Sequence, residues 1–132
     1  MIVRYKYDTP ENAIISLENA FCNKDLVNIL LSKDFLTEAK ILLRQASSEY
    51  DLNDETIIFE TAELLKLSLI QYIQENGFPN FNNVVREFSE MKEIEPNLFS
   101  IIEVLNYPNA DKFTNTIYLS KLNNDWKVVM ID

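Results

Sequence analysis

Helices first and an antiparallel sheet after them is the α+β order this chain predicts, and two observations carry the prediction. Up to Asn76 the apolar residues recur at spacings of three and four, the helical period. Beyond Gly77, the only glycine, they alternate with a period of two. The expected form is N-terminal helices packed on an antiparallel β-sheet of about four strands, in a single domain over residues 1–132.

Residues 1–8 read as a short lead, strand-like in pattern. Thr9-Pro10-Glu11 then starts a helix: Thr9 can cap, Pro10 suits the first helical position, and Glu11 meets the positive end of the dipole. Ile14, Leu17 and Phe21 share its apolar face, with Ala13 and Ala20 beside them. Asn23-Lys24-Asp25 breaks this helix and opens a short second one with Leu26, Ile29 and Leu30 apolar. Ser32 reads as the cap of a third helix, with Leu36, Ala39, Leu43 and Ala46 as its inner face. The fourth helix is expected over 54–76, capped by Asn53 and stapled by Leu52 and Ile57. Its stripe is Ile58, Ala62, Leu65, Leu69 and Tyr72, and Gly77 ends it, with Pro79 blocking any restart.

Strands are expected at about 84–94, 98–107, 112–122 and 125–131. Glu95-Pro96-Asn97, Pro108-Asn109-Ala110 and Asn123-Asn124 turn between them, connections short enough to require an antiparallel meander. In the second strand Phe99, Ile101, Leu105 and Tyr107 share a face with Glu103 among them, while Leu98, Ile102 and Val104 lie on the other. An apolar second face needs a cover, and a homodimer through that outer sheet face is one candidate.

Charge narrows the partners. The 21 acidic residues outnumber 12 basic ones, for a formal net charge of −9 with no histidine. Nucleic acid and anionic membranes are disfavoured, since both are held by clustered Lys and Arg. A basic protein partner is favoured, although the same balance also serves solubility. The opening residues lack a signal-peptide pattern, the stretch Leu64 to Ile73 is too short to span a bilayer, and the lone Cys22 forms no internal disulfide, so a cytoplasmic setting is expected.

Familiar catalytic and cofactor patterns find no footing. One cysteine and no histidine exclude the usual zinc sites. Asp51-Leu52-Asn53-Asp54-Glu55 begins like a calcium loop, but lacks its glycine and has Ala62 at the final acidic position, so it reads as a helix cap. Gly77 alone cannot build a phosphate loop, and Cys22 has no histidine to activate it. No metal and no cofactor is therefore expected. Two features stand out. Glu103 falls on an apolar strand face, where burial would raise its pKa and fit it for acid or base work; at a sheet margin it would instead reach solvent. Glu87, Glu90, Glu93 and Glu95 form an acidic run, offset by Arg86 and Lys92, that suits either a partner surface or an edge strand guarded by charge.

Two segments resemble a known family. TPENAIISLENAFCNKDLVNILLSKDFL, from Thr9 to Leu36, with its Pro10-Glu11 start, Ala20-Phe21 and Asn23-Lys24-Asp25, resembles the opening of nuclear-transport-factor-2-like domains. NTIYLSKLNNDWKVVMID, residues 115–132, with Trp126-Lys127-Val128, resembles their last hairpin. The resemblance implies helices packed in a cone against a curved antiparallel sheet; the long helix over 54–76 departs from many members. The family includes isomerases, dehydratases, carriers and bacterial immunity proteins, so fold alone leaves function open. With no histidine to match its enzymes, the chain is most similar to the small, acidic immunity members.

The resulting expectation is a non-enzymatic protein-binding module, of the immunity type, that meets a basic partner such as a toxin through Glu87, Glu90, Glu93 and Glu95. The alternative is a small-molecule enzyme or carrier with a cone pocket near Glu103, Tyr107 and Trp126.

Overall fold

The structure is a computed structural model that describes residues 5–46 and 54–132. The staple at Leu52 and the cap at Asn53 lie outside the described residues. The chain divides into two compact units, one of residues 1–33 and 79–132, the other of residues 34–78. No helix among the described residues is long and apolar enough to cross a membrane.

The first unit joins two helices to a five-stranded antiparallel sheet. Helix α1 (Pro10–Cys22) is capped by Thr9, whose hydroxyl accepts from the Asn12 amide at 3.0 Å, with Pro10 opening the first turn. Lys24, at φ 54°, turns the chain, and Asp25 caps α2 (Leu26–Leu31). Ser32 ends α2 rather than starting the next helix; its hydroxyl is occupied by the Asn28 carbonyl and the Tyr7 hydroxyl.

The expected first strand is two strands, β1 (Val85–Phe88) and β2 (Lys92–Glu95), which pair with opposite ends of β3 (Leu98–Asn106). Ser89 causes the interruption. Its amide donates to Ile102 O at 2.9 Å, and its Oγ accepts from the Ile102 amide at 2.9 Å, replacing a backbone acceptor with a side chain. The register then gains a residue before Lys92 meets Ser100, so the edge strand is bulged. Strands β4 (Lys112–Leu122) and β5 (Asp125–Ile131) complete the order β1/β2–β3–β4–β5. Asn123 and Asn124, at φ 52° and 73°, make the two-residue turn between them, a pair of left-handed positions that asparagine tolerates.

Ile14 and Leu17 of α1 are buried, as are Ile101, Ile117, Leu119 and Val128 on the sheet. The opposite sheet face carries Leu98, Ile102 and Val104 together with Ser100, Thr114 and Thr116, and Ile102 on it is 46% exposed. The outer edge of β5 is closed by the chain itself. Val128 N donates to Ser32 O, Trp126 N to Tyr7 O, and Lys33 Nζ to Val129 O. Among the described residues, no such cover pairs with the β1/β2 edge.

The second unit is a helical hairpin, α3 (Phe35–Ala46) and α4 (Glu55–Asn76). Asp34 carboxylate oxygens accept from the Thr37 amide and hydroxyl at the start of α3. Phe35, Ala39 and Leu43 are buried, and Leu36, expected on that face, is 50% exposed. Asp54 caps α4, accepting from the amides of Thr56 and Ile57. Ile58, Ala62 and Ile73 are buried on α4, while Tyr72 is exposed along with Phe59, Leu64 and Leu67.

Candidate functional site

All four glutamates of the acidic run are exposed on the β1/β2 edge, but they do not share a face. Glu87 stands opposite Val104 and Glu95 opposite Leu98, whereas Glu93 stands opposite Phe99 on the side that carries α1. Glu90 falls in the interruption. Beside it a cavity of about 120 Å³ is lined by Ser89, Glu90, Lys92, Ser100, Ile102 and Thr116. Arg86 does not offset the acids as the sequence suggested. Its register with Leu105 turns it towards α1, where its Nε donates to Glu18 Oε1. Lys92 is therefore the one cation left exposed between Val85 and Glu95, a stretch in which the apolar side chains Val85 and Ile94 are also exposed.

Arg86 leads to the second constellation, a carboxyl pair in the interior of the same unit. Glu103 is 1% exposed and Glu18 is 3% exposed. Burial, then a hydrogen bond with Glu18, then repulsion from its charge push the Glu103 carboxyl up to about 9; Asn115 and Arg86 oppose this. Asn115 faces Glu103 across the β3–β4 ladder, so the sheet register itself brings the amide to the acid. Glu103 Oε2 is buried with no hydrogen-bond donor among the described residues, an arrangement costly for a carboxylate. A proton on Glu103 lowers that cost by removing the buried charge, and lets the acid donate to Glu18 through its other oxygen. Glu103 is thus a neutral acid at neutral pH, set beside the Glu18–Arg86 ion pair.

Tyr107 borders this cluster and Trp126 does not. Burial first, and then repulsion from Glu18 and Glu103, raise the Tyr107 phenol, whose hydroxyl donates to Asn80 O at 3.2 Å. Trp126 packs edge-on against Phe99 at 4.9 Å and under Lys121 Nζ. Phe99 is four residues along β3 from Glu103, roughly 13 Å away in a strand, so the three expected pocket residues do not converge. Glu18 was missed in the sequence, although it had a signal: it lies four residues after Ile14 and three before Phe21, inside the apolar stripe of α1. Among the described residues, no group of three or more His, Cys, Asp or Glu side chains is arranged to hold a metal ion. In the helical hairpin, a larger cavity of about 520 Å³ is lined by Leu36, Lys40, Glu55, Thr56, Ile58 and Phe59.

No family model matches the chain, and no curated protein matches it. Among solved structures, a protein from Campylobacter jejuni named as a proposed NTF2-like transpeptidase is similar over 92% of this chain and 98% of its own, at a TM-score of 0.54 and 15% identity. That likeness shows the fold: a nuclear-transport-factor-2-like arrangement, as the two ends of the sequence suggested.

Proposed function

We propose that this chain is a non-catalytic binding module that receives a basic protein on its β1/β2 edge. The observation that carries the reading is the exposure of Glu87, Glu90, Glu93 and Glu95 along an edge whose arginine is turned inward to Glu18. A net charge of −9 adds a long-range field of the same sign, which speeds encounter with a cation-rich surface. A basic toxin held by an immunity protein in the cytoplasm is the pairing this chemistry favours. The transpeptidase activity in the neighbour's name is not carried over, because this chain has no histidine to activate its single thiol. The reading is tested by purifying a bound partner and measuring affinity against salt. Association should weaken steeply as ionic strength rises, and Glu90→Lys with Glu93→Lys should weaken it further. Affinity indifferent to both changes would remove the acidic edge as the contact surface.

A second reading has its own observation, the buried Oε2 of Glu103 with no donor among the described residues. A small-molecule enzyme or carrier would use that acid as its proton donor, provided α1 or β1 moves to admit a ligand. Its test is a ligand whose binding is abolished by Glu103→Gln while the edge reversals leave it unchanged.

A further inference from the structure

The open edge has a backbone as well as charges, and together they specify how a partner would dock. Ser89 and Ile102 form a hydrogen-bonded position of the antiparallel ladder, since Ser89 N donates to Ile102 O. Hydrogen bonding alternates along such a ladder, so Glu87 and Val85 also bond towards β3. The N–H and C=O groups of Arg86 and Phe88 therefore point the other way, out of the sheet. Among the described residues nothing takes them up. At the far edge the same need is met by Tyr7 and Ser32.

We propose, resting on the reading above, that the partner docks as an extended basic segment that adds a strand beside β1. Charge complementarity selects the occupant. Glu87 lies on the β1 edge itself and Glu90 and Glu93 follow beyond the bulge, so lysine or arginine on the added strand and just past its end meets carboxylates. The bulge at Ser89 limits the unbroken ladder to β1, so the added strand is short, and the cavity of about 120 Å³ beside Glu90 can take one side chain at its end. A second copy of this chain is a poor occupant, because pairing two such edges would bring glutamates against glutamates.

The test uses the full chain and a probe peptide of about six residues, a usual strand length, alternating lysine and valine. A second probe is identical but N-methylated at alternate residues, which removes the donors a ladder needs. Binding is followed by fluorescence anisotropy, and exchange of the chain's amides by NMR. Strand addition predicts saturable binding, slowed exchange at the Arg86 and Phe88 amides, and weakening of about tenfold or more on N-methylation. Failure of the unmodified probe to bind, or equal affinity for both probes, would overturn strand addition. Equal affinity that still falls with salt and with Glu87→Lys plus Glu93→Lys would leave the acidic edge standing. Affinity that responds to neither would overturn both.

Discussion

Glu103 holds a proton in the folded protein that it releases in the unfolded chain. Its carboxyl rises from 4.5 to about 9 on folding, chiefly because burial disfavours its charged form. Between those values the native state binds more protons than the unfolded state, so stability falls as pH rises. At about 1.4 kcal/mol per unit, realising even a third of the shift removes about 1 kcal/mol between pH 5 and pH 9. Urea unfolding across that range should show the decline, and Glu103→Gln should flatten it, since the amide still donates to Glu18 without titrating. An unchanged slope in the variant would assign the decline to other groups. Arg86 has the opposite role. Replacing it by methionine leaves the Glu18 carboxylate buried without its cation, and stability should fall by about 3 kcal/mol, read from the same urea curves. The oddity of Glu103 was legible in the sequence, because strand alternation sets it among apolar residues. Glu18 sits in the apolar stripe of α1 and could have been flagged the same way, but its pairing with Arg86, and the inward turn of that arginine, were not legible, because the partner lies 68 residues along the chain.

Local chemistry fixes the elements where it is strong. Thr9-Pro10 at the start of α1 and Asn123-Asn124 between β4 and β5 could be read directly, since capping and left-handed turns restrict residue choice severely. The break at Ser89 was not legible, because serine is compatible with a continuous strand until its hydroxyl replaces a backbone acceptor. Helix α4 misled in a different way. Apolar residues run all round it, so no single stripe is selected by pattern, and Tyr72 is exposed where Ile73 is buried. Two turn residues make opposite predictions. Ala110 adopts φ 74°, a region hard on any side chain, so Ala110→Gly should stabilise by up to about 1 kcal/mol. Gly77 ends α4 at φ 81° with no atom within 4 Å of a Cβ, so Gly77→Ala should destabilise by about 1 kcal/mol through backbone strain rather than a clash. Thermal unfolding of both variants checks the signs.

Over the molecule as a whole, the two edges of the sheet are treated differently. The β5 edge is closed by residues 7, 32 and 33, while among the described residues the β1/β2 edge is left to charge. Its arginine is committed to the interior, and that commitment links the buried cluster to the surface: the ion pair that neutralises Glu18 makes the edge more acidic than its composition suggests. The acidic balance of −9 was visible from the sequence, but the placement of Glu87, Glu90, Glu93 and Glu95 along an edge that no described residue covers needed the sheet order. The first experiment is affinity capture from a lysate of the source organism at low and high salt, run in parallel with the wild-type chain and a folded Glu87→Lys, Glu90→Lys, Glu93→Lys variant, with quantitative mass spectrometry. A basic protein retained near stoichiometrically by the wild type, released by salt and lost from the variant, is the predicted result. Equal retention by both chains, or retention insensitive to salt, would contradict the acidic edge as the binding surface.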